Sequence, residues 1–525
     1  MKKQGFIYGA VILIVANAIS KLLGAVFKIP LTYILHEDGM GIFNSAFTVY
    51  IMGLSIVTAG FPLAVSKSIS EAVSGKDFKK TAVISKAASL ILTALGLAGG
   101  AVLFFGAHFF ACAIKEPMAE YAIKAVAPAV PAVALGTVYK SYFQGTGNMT
   151  PTAISQVVES VFRLILGFML ASYFCISTAH GAAGAIGGIM AGEYIATFIL
   201  WVLYRKNRLY KGKCRLNISV EKELFSMAVP LMLASLVANV ISVVEISVIR
   251  RSLESISFTP MQADKIIKTF GDTFRDLPKT LSLTSPLANW LYGAYTGYAV
   301  TLFHLPTGII STFCVSLFPY MAGAYSSGDI KNAAAKFRKG FSVILLLSVP
   351  ASVILFFLSD ELLYILFKST SSAMLLKILS FSVIPLCING LCVNALYAAG
   401  DVYPAFITSL AGSIIKITGC IFFASNGNFH IYGVPLSTFM DFTFVLIINL
   451  FLIKKKYGSC KISKISLKLL TGGIVMSLWC YLTLPLYNFI LPLKILAVTM
   501  SSLIIYVLFL VVLNTHKDIY SSRTE

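Results

Sequence analysis

Apolar segments of about 20 residues recur from one end of this 525-residue chain to the other. A segment of that length spans the hydrocarbon core of a bilayer as an α-helix, whereas barrel strands show alternating polarity over about ten residues. The chain is 57% hydrophobic and only 12% charged, which is too apolar for a water-soluble domain. The sequence therefore predicts an all-α, polytopic membrane protein with about 14 transmembrane helices.

Positive charges are distributed unevenly between the predicted loops. The loops on one predicted side, together with both termini, hold 27 of the 42 Lys and Arg residues, and the alternate loops hold 11. Cytoplasmic loops of membrane proteins carry the excess of Lys and Arg. We therefore expect both termini to be cytoplasmic. The net charge of +20 then reflects topology and contact with anionic membrane lipid, and no nucleic acid partner is expected.

Side chains that could hold a cofactor form no recognisable pattern. The nine Cys residues include no C-x-x-C pair and the six His residues stand apart, so neither a zinc site nor a disulfide framework is predicted. The ATP-binding pattern Gly-x-x-x-x-Gly-Lys-Ser/Thr is also missing from the sequence. We expect no cofactor. Lys2 and Lys3 before an apolar run resemble a signal peptide, but no small-residue cleavage pattern follows, so we expect a retained first helix.

The two halves of the chain carry related sequences. Val-Ala-Asn-Ala-Ile-Ser at residues 15–20 returns as Val-Ala-Asn-Val-Ile-Ser at residues 237–242, and a cation follows each copy, at Lys28 and Arg250. Internal symmetry of this kind is common in transporters. Six helices per half predict two six-helix lobes related by a pseudo-two-fold axis along the membrane normal, plus two C-terminal helices.

A second match fixes the register of the repeat. Gly-Asn-Met-Thr-Pro at residues 147–151 aligns with Gly-Asp-Val-Tyr-Pro at residues 400–404, and Arg163 then aligns with Lys416. The predicted division is an N-lobe over residues 1–215, a C-lobe over residues 216–458, and the last two helices with a cytoplasmic tail over residues 459–525.

Polar and charged side chains recur at helical spacing within predicted membrane helices. A charged side chain at the centre of a bilayer costs about 2.5–3.5 kcal/mol on insertion scales, so such residues indicate functional sites. Cations outnumber carboxylates among them, which favours an anionic substrate. The alternative is that Glu159 pairs with Arg163, and Glu245 with an opposing cation, to hold helices together. The candidate substrate-binding residues are Asn17, Lys21, Lys28, Glu159, Arg163, Asn239, Glu245, Arg250 and Lys416.

Three groups of motifs resemble the stage V sporulation protein B family. They are Gly-Phe-Pro-Leu-Ala-Val-Ser-Lys at residues 60–67, Gly-Thr-Gly-Asn-Met-Thr-Pro at residues 145–151, and Leu-Tyr-Gly at residues 291–293 followed by Leu-Pro-Thr at residues 305–307. That family belongs to the multidrug, oligosaccharidyl-lipid and polysaccharide exporter superfamily, together with the lipid II flippases. The resemblance covers residues 5–513.

The resemblance implies a flippase of the bacterial cytoplasmic membrane, not an enzyme. It would translocate an undecaprenyl-pyrophosphate-linked saccharide, with a peptidoglycan precursor as one candidate, by alternating access through a cation-lined central cavity. Lys21 lies where lipid II flippases carry a cavity cation, whereas Thr301 stands where they carry a further Arg. The expected partners are the lipid-linked saccharide, membrane lipid and cell-wall synthesis enzymes, and we expect a monomer.

Two other functions stay open. A cation-coupled multidrug exporter of the same superfamily would need carboxylates in the N-lobe cavity, where the first helix offers Lys21 and Lys28. A non-transporting scaffold for cell-wall or spore-envelope assembly could use the outward segment 251–286, in which an amphipathic helix is predicted around residues 261–274. A membrane-embedded transferase is disfavoured because the His residues do not cluster.

Overall fold

The computed structural model describes residues 6–210, 212, 218–274, 277–458, 463–486 and 490–513. These residues are helical almost throughout, and an isolated bridge between Ser257 and Ser282 is the single β-type pairing among them. The predicted all-α class is confirmed. Lys2 and Lys3 lie outside the described residues.

Twenty-one α-helices follow one another along the described chain. Short π-helical segments occur at Ala294–Ala299 and Cys420–Ala424, and 3₁₀ turns at Asp272–Phe274 and His430–Tyr432. The α-helices are α1 (Phe6–Thr58), α2 (Phe61–Ser74), α3 (Phe78–Phe105), α4 (Ala107–Ala113), α5 (Ala119–Val126), α6 (Ala129–Gly145), α7 (Thr150–Tyr173), α8 (Thr178–Asn207), α9 (Ile218–Glu254), α10 (Pro260–Phe270), α11 (Leu277–Thr280), α12 (Ser285–Gly293), α13 (Val300–Ser326), α14 (Ile330–Phe357), α15 (Ser359–Phe367), α16 (Ala373–Ser380), α17 (Val383–Ala398), α18 (Val402–Gly419), α19 (Gly433–Tyr457), α20 (Ser463–Thr483) and α21 (Leu491–Val512).

Eleven helical stretches of the described residues are long and apolar enough to cross a membrane, or twelve if α16 and α17, bent by 46° at their junction, form one span. The chain is therefore a multi-pass membrane protein. The first stretch, Val15–Ser74, has 60 residues, far more than the roughly 20 that one crossing requires. The predicted number of 14 helices stays a prediction.

Helix α1 folds back on itself at His36, whose backbone is non-helical with φ 51° and ψ −166°. Lys28 Nζ lies 3.0 Å from Asn44 Oδ1, and the rings of Phe27 and Phe43 are 6.0 Å apart. In a straight helix, residues sixteen positions apart would be separated by about 24 Å. The two halves of α1 therefore lie side by side, and the break at His36 separates two membrane helices.

Local structure repeats between the two halves of the chain. Helices α3 and α14 each have 28 residues, and each begins after an Asp that caps it: Asp77 Oδ1 accepts from Lys80 N at 2.9 Å, and Asp329 Oδ1 from Asn332 N at 3.0 Å. Helices of 7, 8 and 17 residues follow α3, and helices of 9, 8 and 16 residues follow α14.

The two aligned glycines of the second motif also share a backbone conformation. Gly147 has φ 76° and Gly400 has φ 83°, values that favour glycine, and each precedes the next long helix. The sequence repeat therefore corresponds to a repeat of local structure. The lobes' relation by a two-fold axis stays a prediction.

The chain divides into two compact units. The first contains residues 1–251 and 288–293, and the second contains residues 252–287 and 294–525. These units are defined by packing and the predicted lobes by sequence repetition, so the boundaries at residues 215 and 458 stay predictions.

Within the second unit, the predicted amphipathic helix of the outward segment is present as α10. Thr259 and Gln262 form a capping box at its start, and Gln262 Nε2 donates to Asn428 Oδ1 at 2.8 Å. Its Ala263, Ile266 and Phe270 side chains are buried. The role of this segment stays open.

Candidate functional site

The N-terminal half of α1 presents two opposite faces. Asn17, Lys21, Gly24 and Lys28 follow one face at intervals of four, three and four residues. Asn17 and Lys21 are exposed, and a Cβ added at Gly24 would have no atom within 4 Å. Polar side chains inside a bilayer face water or protein, because contact with lipid is costly. We therefore expect this polar face to be turned away from lipid.

The opposite face of this helix is apolar and open. Val15, Ile19, Leu22 and Val26 are between 40% and 50% exposed. Their four-three-four spacing places them half a turn from Asn17 and its neighbours. An exposed apolar stripe on a membrane helix is suited to lipid. The N-terminal half of α1 thus has one apolar and one polar face.

Lys28 is the last of the four residues along the polar face. Its ammonium group donates to Asn44 Oδ1 at 3.0 Å, and Asn44 Nδ2 donates in turn to the carbonyl oxygen of Met40 at 2.9 Å. Asn44 is buried, with 7% of its surface exposed. A Lys ammonium group has three donors. No carboxylate forms an ion pair with Lys28 among the described residues.

Helices α7 and α8 pack unusually closely because α8 carries glycines at four-residue spacing. A Cβ at Gly184 would lie 2.4 Å from the carbonyl oxygen of Leu170, and one at Gly188 would lie 2.1 Å from Gly167 Cα. A Cβ at Gly192 would meet the carbonyl oxygen of Glu159 at 3.0 Å. Small residues let membrane helices approach in this way. The approach brings the side chain that follows Gly192 onto α7.

That side chain is Glu193, and it completes a buried charged cluster. Arg163 forms an ion pair with Glu159 one turn away on α7, and Arg163 Nη2 lies 3.7 Å from Glu193 Oε1. Lys140 on α6 reaches Glu159 Oε2 at 3.6 Å. We call Lys140, Glu159, Arg163 and Glu193 the charged cluster. Two cations and two carboxyl groups balance in it, so it adds no surplus positive charge.

Sequence reasoning predicted the Glu159–Arg163 pair as an alternative but missed the other two members. Lys140 lies on α6, and its side chain is 24% exposed. Glu193 lies on a different helix from Arg163. The signal that could have found it is the glycine spacing of α8, because it predicts close contact with a neighbouring helix.

Arg250 is enclosed by protein, with 1% of its surface exposed. Its guanidinium group donates to the carbonyl oxygen of Ile114 at 2.9 Å, to Ser45 Oγ at 2.9 Å and to Asn289 Oδ1 at 2.7 Å. Glu116 Oε2 lies 3.4 Å away, and the ring of Tyr292 lies 5.1 Å from Arg250 Cζ. These contacts cross-link helices of the first unit. A substrate-binding role for Arg250 stays a prediction.

The remaining candidates lie on two further helices, α9 and α18. Asn239 Nδ2 donates to the carbonyl oxygen of Ser235 at 2.8 Å on the same helix, α9, and Glu245 is half-buried there. Lys416 is half-buried on α18 in the second unit. The structure thus joins Glu159 and Arg163 in an ion pair, as the alternative to substrate binding predicts. The binding roles of all these candidates stay predictions.

Comparison with family models gives two matches. Residues 6–325 match the model described as "Polysaccharide biosynthesis protein", and residues 287–515 match the model described as "Lipid II flippase MurJ". The first match covers more than half of the chain, and together the two cover nearly all of it.

Individual proteins agree with these models. The chain is 26% identical over 464 residues to "Stage V sporulation protein B" of Bacillus subtilis (strain 168). The aligned region covers 86% of this chain and 83% of that protein. The fold resembles that of the solved structure "Lipid II flippase MurJ, inward closed conformation", with a TM-score of 0.65, 16% identity, and coverage of 96% of this chain and 99% of the other.

An inward-facing multidrug resistance MATE family transporter of the MOP superfamily also gives a TM-score of 0.65, at 10% identity, covering 86% of this chain and 99% of the other. The exporter fold implied by the sequence motifs is confirmed, and the chain is a membrane flippase or transporter, not an enzyme. On the match over residues 6–325, the chain belongs to the polysaccharide biosynthesis protein family.

Proposed function

We propose that this protein flips an undecaprenyl-pyrophosphate-linked saccharide, such as a peptidoglycan precursor, across the bacterial cytoplasmic membrane by alternating access. The observation that carries the proposal is the ammonium group of Lys28, which is held within a membrane helix by a neutral amide. A cation inside a bilayer requires a counter-charge or water. An anionic head group that enters along the polar face of α1 supplies that charge.

The chemistry of such a cargo fits the two faces of α1. A pyrophosphate with attached sugars cannot cross about 30 Å of hydrocarbon unaided. Lys21 and Lys28 offer charge-assisted hydrogen bonds that replace lost hydration of the phosphates. Asn17, on the same face, offers donors and acceptors suited to a sugar. The prenyl tail stays in lipid, on the side to which the apolar stripe belongs.

Both termini are placed in the cytoplasm in this proposal, on the strength of the Lys and Arg distribution. The head group then enters from the cytoplasmic leaflet. Binding of the saccharide requires no second subunit, so we propose a monomer as the working unit.

Translocation of a labelled undecaprenyl-pyrophosphate saccharide in proteoliposomes tests the proposal. A leaflet-specific quencher reports the fraction of label that has crossed. We expect Lys28→Ala to reduce the rate tenfold or more, because a hydrogen bond to a charged group contributes about 1.5–3 kcal/mol. Lys67→Ala is the matched control, since Lys67 is a surface cation with a 66% exposed side chain. Its rate should equal that of the parent.

Two results would contradict the proposal. If the parent moves no labelled lipid under any applied potential, the protein acts as a scaffold or exports another substrate. If Lys28→Ala moves the lipid as fast as the parent, Lys28 does not bind the head group.

A multidrug exporter is the second candidate, because the fold resembles both kinds of transporter with the same TM-score. The cations on the polar face of α1 favour an anionic substrate over the cationic compounds that carboxylates attract. An uptake assay with a cationic dye in the same vesicles separates the two functions.

A further inference from the structure

A pocket of about 340 Å³ lies beside the end of α8 in the first unit, and we call it the α3–α8 pocket. It is lined by α3 and by the chain at and after the end of α8, and α6 packs against both helices. A single small ion needs about 30 Å³, the share of one water molecule, so the pocket can hold a group of several heavy atoms. Its polar side chains are Ser85, Lys86 and Ser89 on α3 together with Tyr204, Arg208 and Tyr210.

The α3–α8 pocket is positively charged. Lys86 and Arg208 are exposed, and no carboxylate occurs among the described residues that line the pocket. Arg208 forms no ion pair with a carboxylate in the described part of the chain. Guanidinium and ammonium groups bind phosphate oxygens through charge-assisted hydrogen bonds. The pocket is therefore suited to a phosphate group.

The serine hydroxyl groups of the pocket add a second requirement. Ser85 Oγ donates to the carbonyl oxygen of Thr81 at 2.9 Å, and Ser89 Oγ donates to the carbonyl oxygen of Ser85 at 2.8 Å. A hydroxyl group has one donor and two acceptor lone pairs, so both serines offer only acceptors to a ligand. The oxygens of a phosphate diester are themselves acceptors and cannot use them. A ligand that satisfies the whole lining therefore carries hydroxyl groups as well as a phosphate.

Tyrosine packing fixes the shape of the α3–α8 pocket. The ring of Tyr204 lies 4.8 Å from that of Tyr142 and 5.1 Å from that of Tyr139, both on α6. The hydroxyl group of Tyr142 accepts a hydrogen bond from Leu209 N at 2.8 Å, which ties the chain after α8 to α6. A lining that is held in place before a ligand arrives binds it at a lower entropic cost.

The aromatic residues around the pocket are typical of the level of lipid head groups, where Tyr and Trp are enriched. Trp201 lies one turn before Arg205 on α8, and its ring is 4.5 Å from Arg205 Cζ. The distribution of Lys and Arg predicts that this end of α8 is cytoplasmic. Basic pockets between transmembrane helices on that side bind phosphate-bearing head groups.

An apolar stripe continues from the pocket along α3. Leu90 and Leu97 follow Lys86 at intervals of four and seven residues, which places all three on one face of the helix. The two leucines are 54% and 59% exposed. A ligand bound at Lys86 therefore has an open apolar surface beside it, which suits an acyl chain. A free phosphate would use the charge of the pocket but neither this stripe nor the serine acceptors.

We propose that the α3–α8 pocket binds an anionic phospholipid whose head group is a phosphoglycerol, as in phosphatidylglycerol. Lys86 and Arg208 bind the phosphate, and Ser85 and Ser89 accept hydrogen bonds from the glycerol hydroxyl groups. The acyl chains lie in the bilayer along the apolar stripe of α3. This lipid site shares no residue with the polar face of α1, so it is separate from the proposed cargo site.

Thermal unfolding of the full-length protein in a neutral detergent, with short-chain phosphatidylglycerol added, measures the binding. A ligand of the folded state raises the Tm as its concentration rises, and we expect this for phosphatidylglycerol but not for phosphatidylcholine of the same chain length. Lys86→Ala and Arg208→Ala should each raise the apparent Kd about tenfold, as expected for loss of a charged hydrogen bond. Lys206→Ala is the matched control, because Lys206 is an exposed cation on α8 outside the pocket. It should bind the lipid like the parent.

Ser89→Ala separates the hydroxyl contacts from the charge. It should weaken the binding of phosphatidylglycerol several-fold and leave the affinity for phosphatidic acid, which has no glycerol in its head group, unchanged. Alanine is a good helix former, so the Tm without lipid should match that of the parent. An equal loss of affinity for both lipids, or no loss for either, contradicts the pairing of glycerol with the serines.

Soluble ligands identify the source of the phosphate. Inorganic phosphate and glycerol 3-phosphate, added without lipid, should raise the Tm far less than phosphatidylglycerol at the same concentration. If either matches the lipid, the pocket takes a soluble phosphate and the lipid proposal is overturned. It is also overturned if phosphatidylglycerol raises the Tm of Lys86→Ala and Arg208→Ala as much as that of the parent. None of these measurements involves transport, so their outcome is independent of the proposed function.

Discussion

The ammonium group of Lys28 lies 3.0 Å from the side-chain oxygen of Asn44, sixteen residues further along the chain. This contact closes the hairpin of α1 and holds a cation on a polar face with a neutral partner. The hairpin therefore shapes the first two membrane helices and gives Lys28 a partner that carries no charge.

Replacing the amide by a carboxylate at this position should weaken the binding of an anionic lipid. Asn44→Asp gives Lys28 a fixed counter-charge, so we expect the Kd for a pyrophosphate-linked lipid to rise about tenfold, in line with the contribution of a charged hydrogen bond. Fluorescence titration of a labelled lipid measures the change. Asn44→Ala, which adds no charge, serves as control and should raise the Kd less. Equal affinities for Asn44→Asp and the parent would argue against Lys28 as a phosphate ligand.

Loss of Arg250 should destabilise the protein more than loss of its neighbour. Arg250→Ala leaves Glu116 buried without its cation, and breaking a buried ion pair from one side costs about 3–5 kcal/mol. Thermal unfolding in detergent should show a clear fall in Tm. Arg251→Ala is the matched control because Arg251 is exposed. Adding Glu116→Gln to Arg250→Ala should restore part of the stability, and a further loss would refute the pairing.

The close contact between α7 and α8 should tolerate no added methyl group. Gly188→Ala places a Cβ within 2.1 Å of Gly167 Cα, so the helices must separate, at a cost of about 1–3 kcal/mol or more. Gly24→Ala adds the same methyl group to a helix with nothing within 4 Å, and should be neutral or slightly stabilising. Thermal unfolding of the two variants compares them directly. Similar Tm values would contradict the packing described for α8.

The two aspartate caps should contribute equally, because the same motif begins α3 and α14. Asp77→Ala and Asp329→Ala should each cost about 1 kcal/mol, with faster amide exchange at Lys80 and Asn332. Hydrogen–deuterium exchange with mass spectrometry resolves both peptides. Serine at either position accepts the same hydrogen bond, so Asp77→Ser should retain most of the protection. Unequal effects of the two alanine variants would show that the caps do not contribute equally to stability.

Much of the fold could be predicted from the sequence because the bilayer imposes its demands locally. Each crossing must satisfy its own backbone hydrogen bonds and be about 20 residues long, so apolar runs alone predict helices. The repeated Asp and Gly residues mark caps and turns through chemistry that acts within four residues. Gly147 and Gly400 occupy equivalent positions in the two aligned motifs, and both have a positive φ because each turn is determined by its own few residues.

The charged residues show where sequence reasoning ends. Spacing along α1 placed Asn17, Lys21 and Lys28 on one face, and spacing along α7 allowed Glu159 to meet Arg163. The sequence by itself thus determined which residues share a helix face. Only the tertiary structure decided their partners, because the cost of a buried charge depends on atoms that other helices contribute. It enclosed Arg250 among carbonyl, hydroxyl and carboxyl oxygens and brought Glu193 to Arg163 through glycine contacts. It also placed a neutral amide beside Lys28.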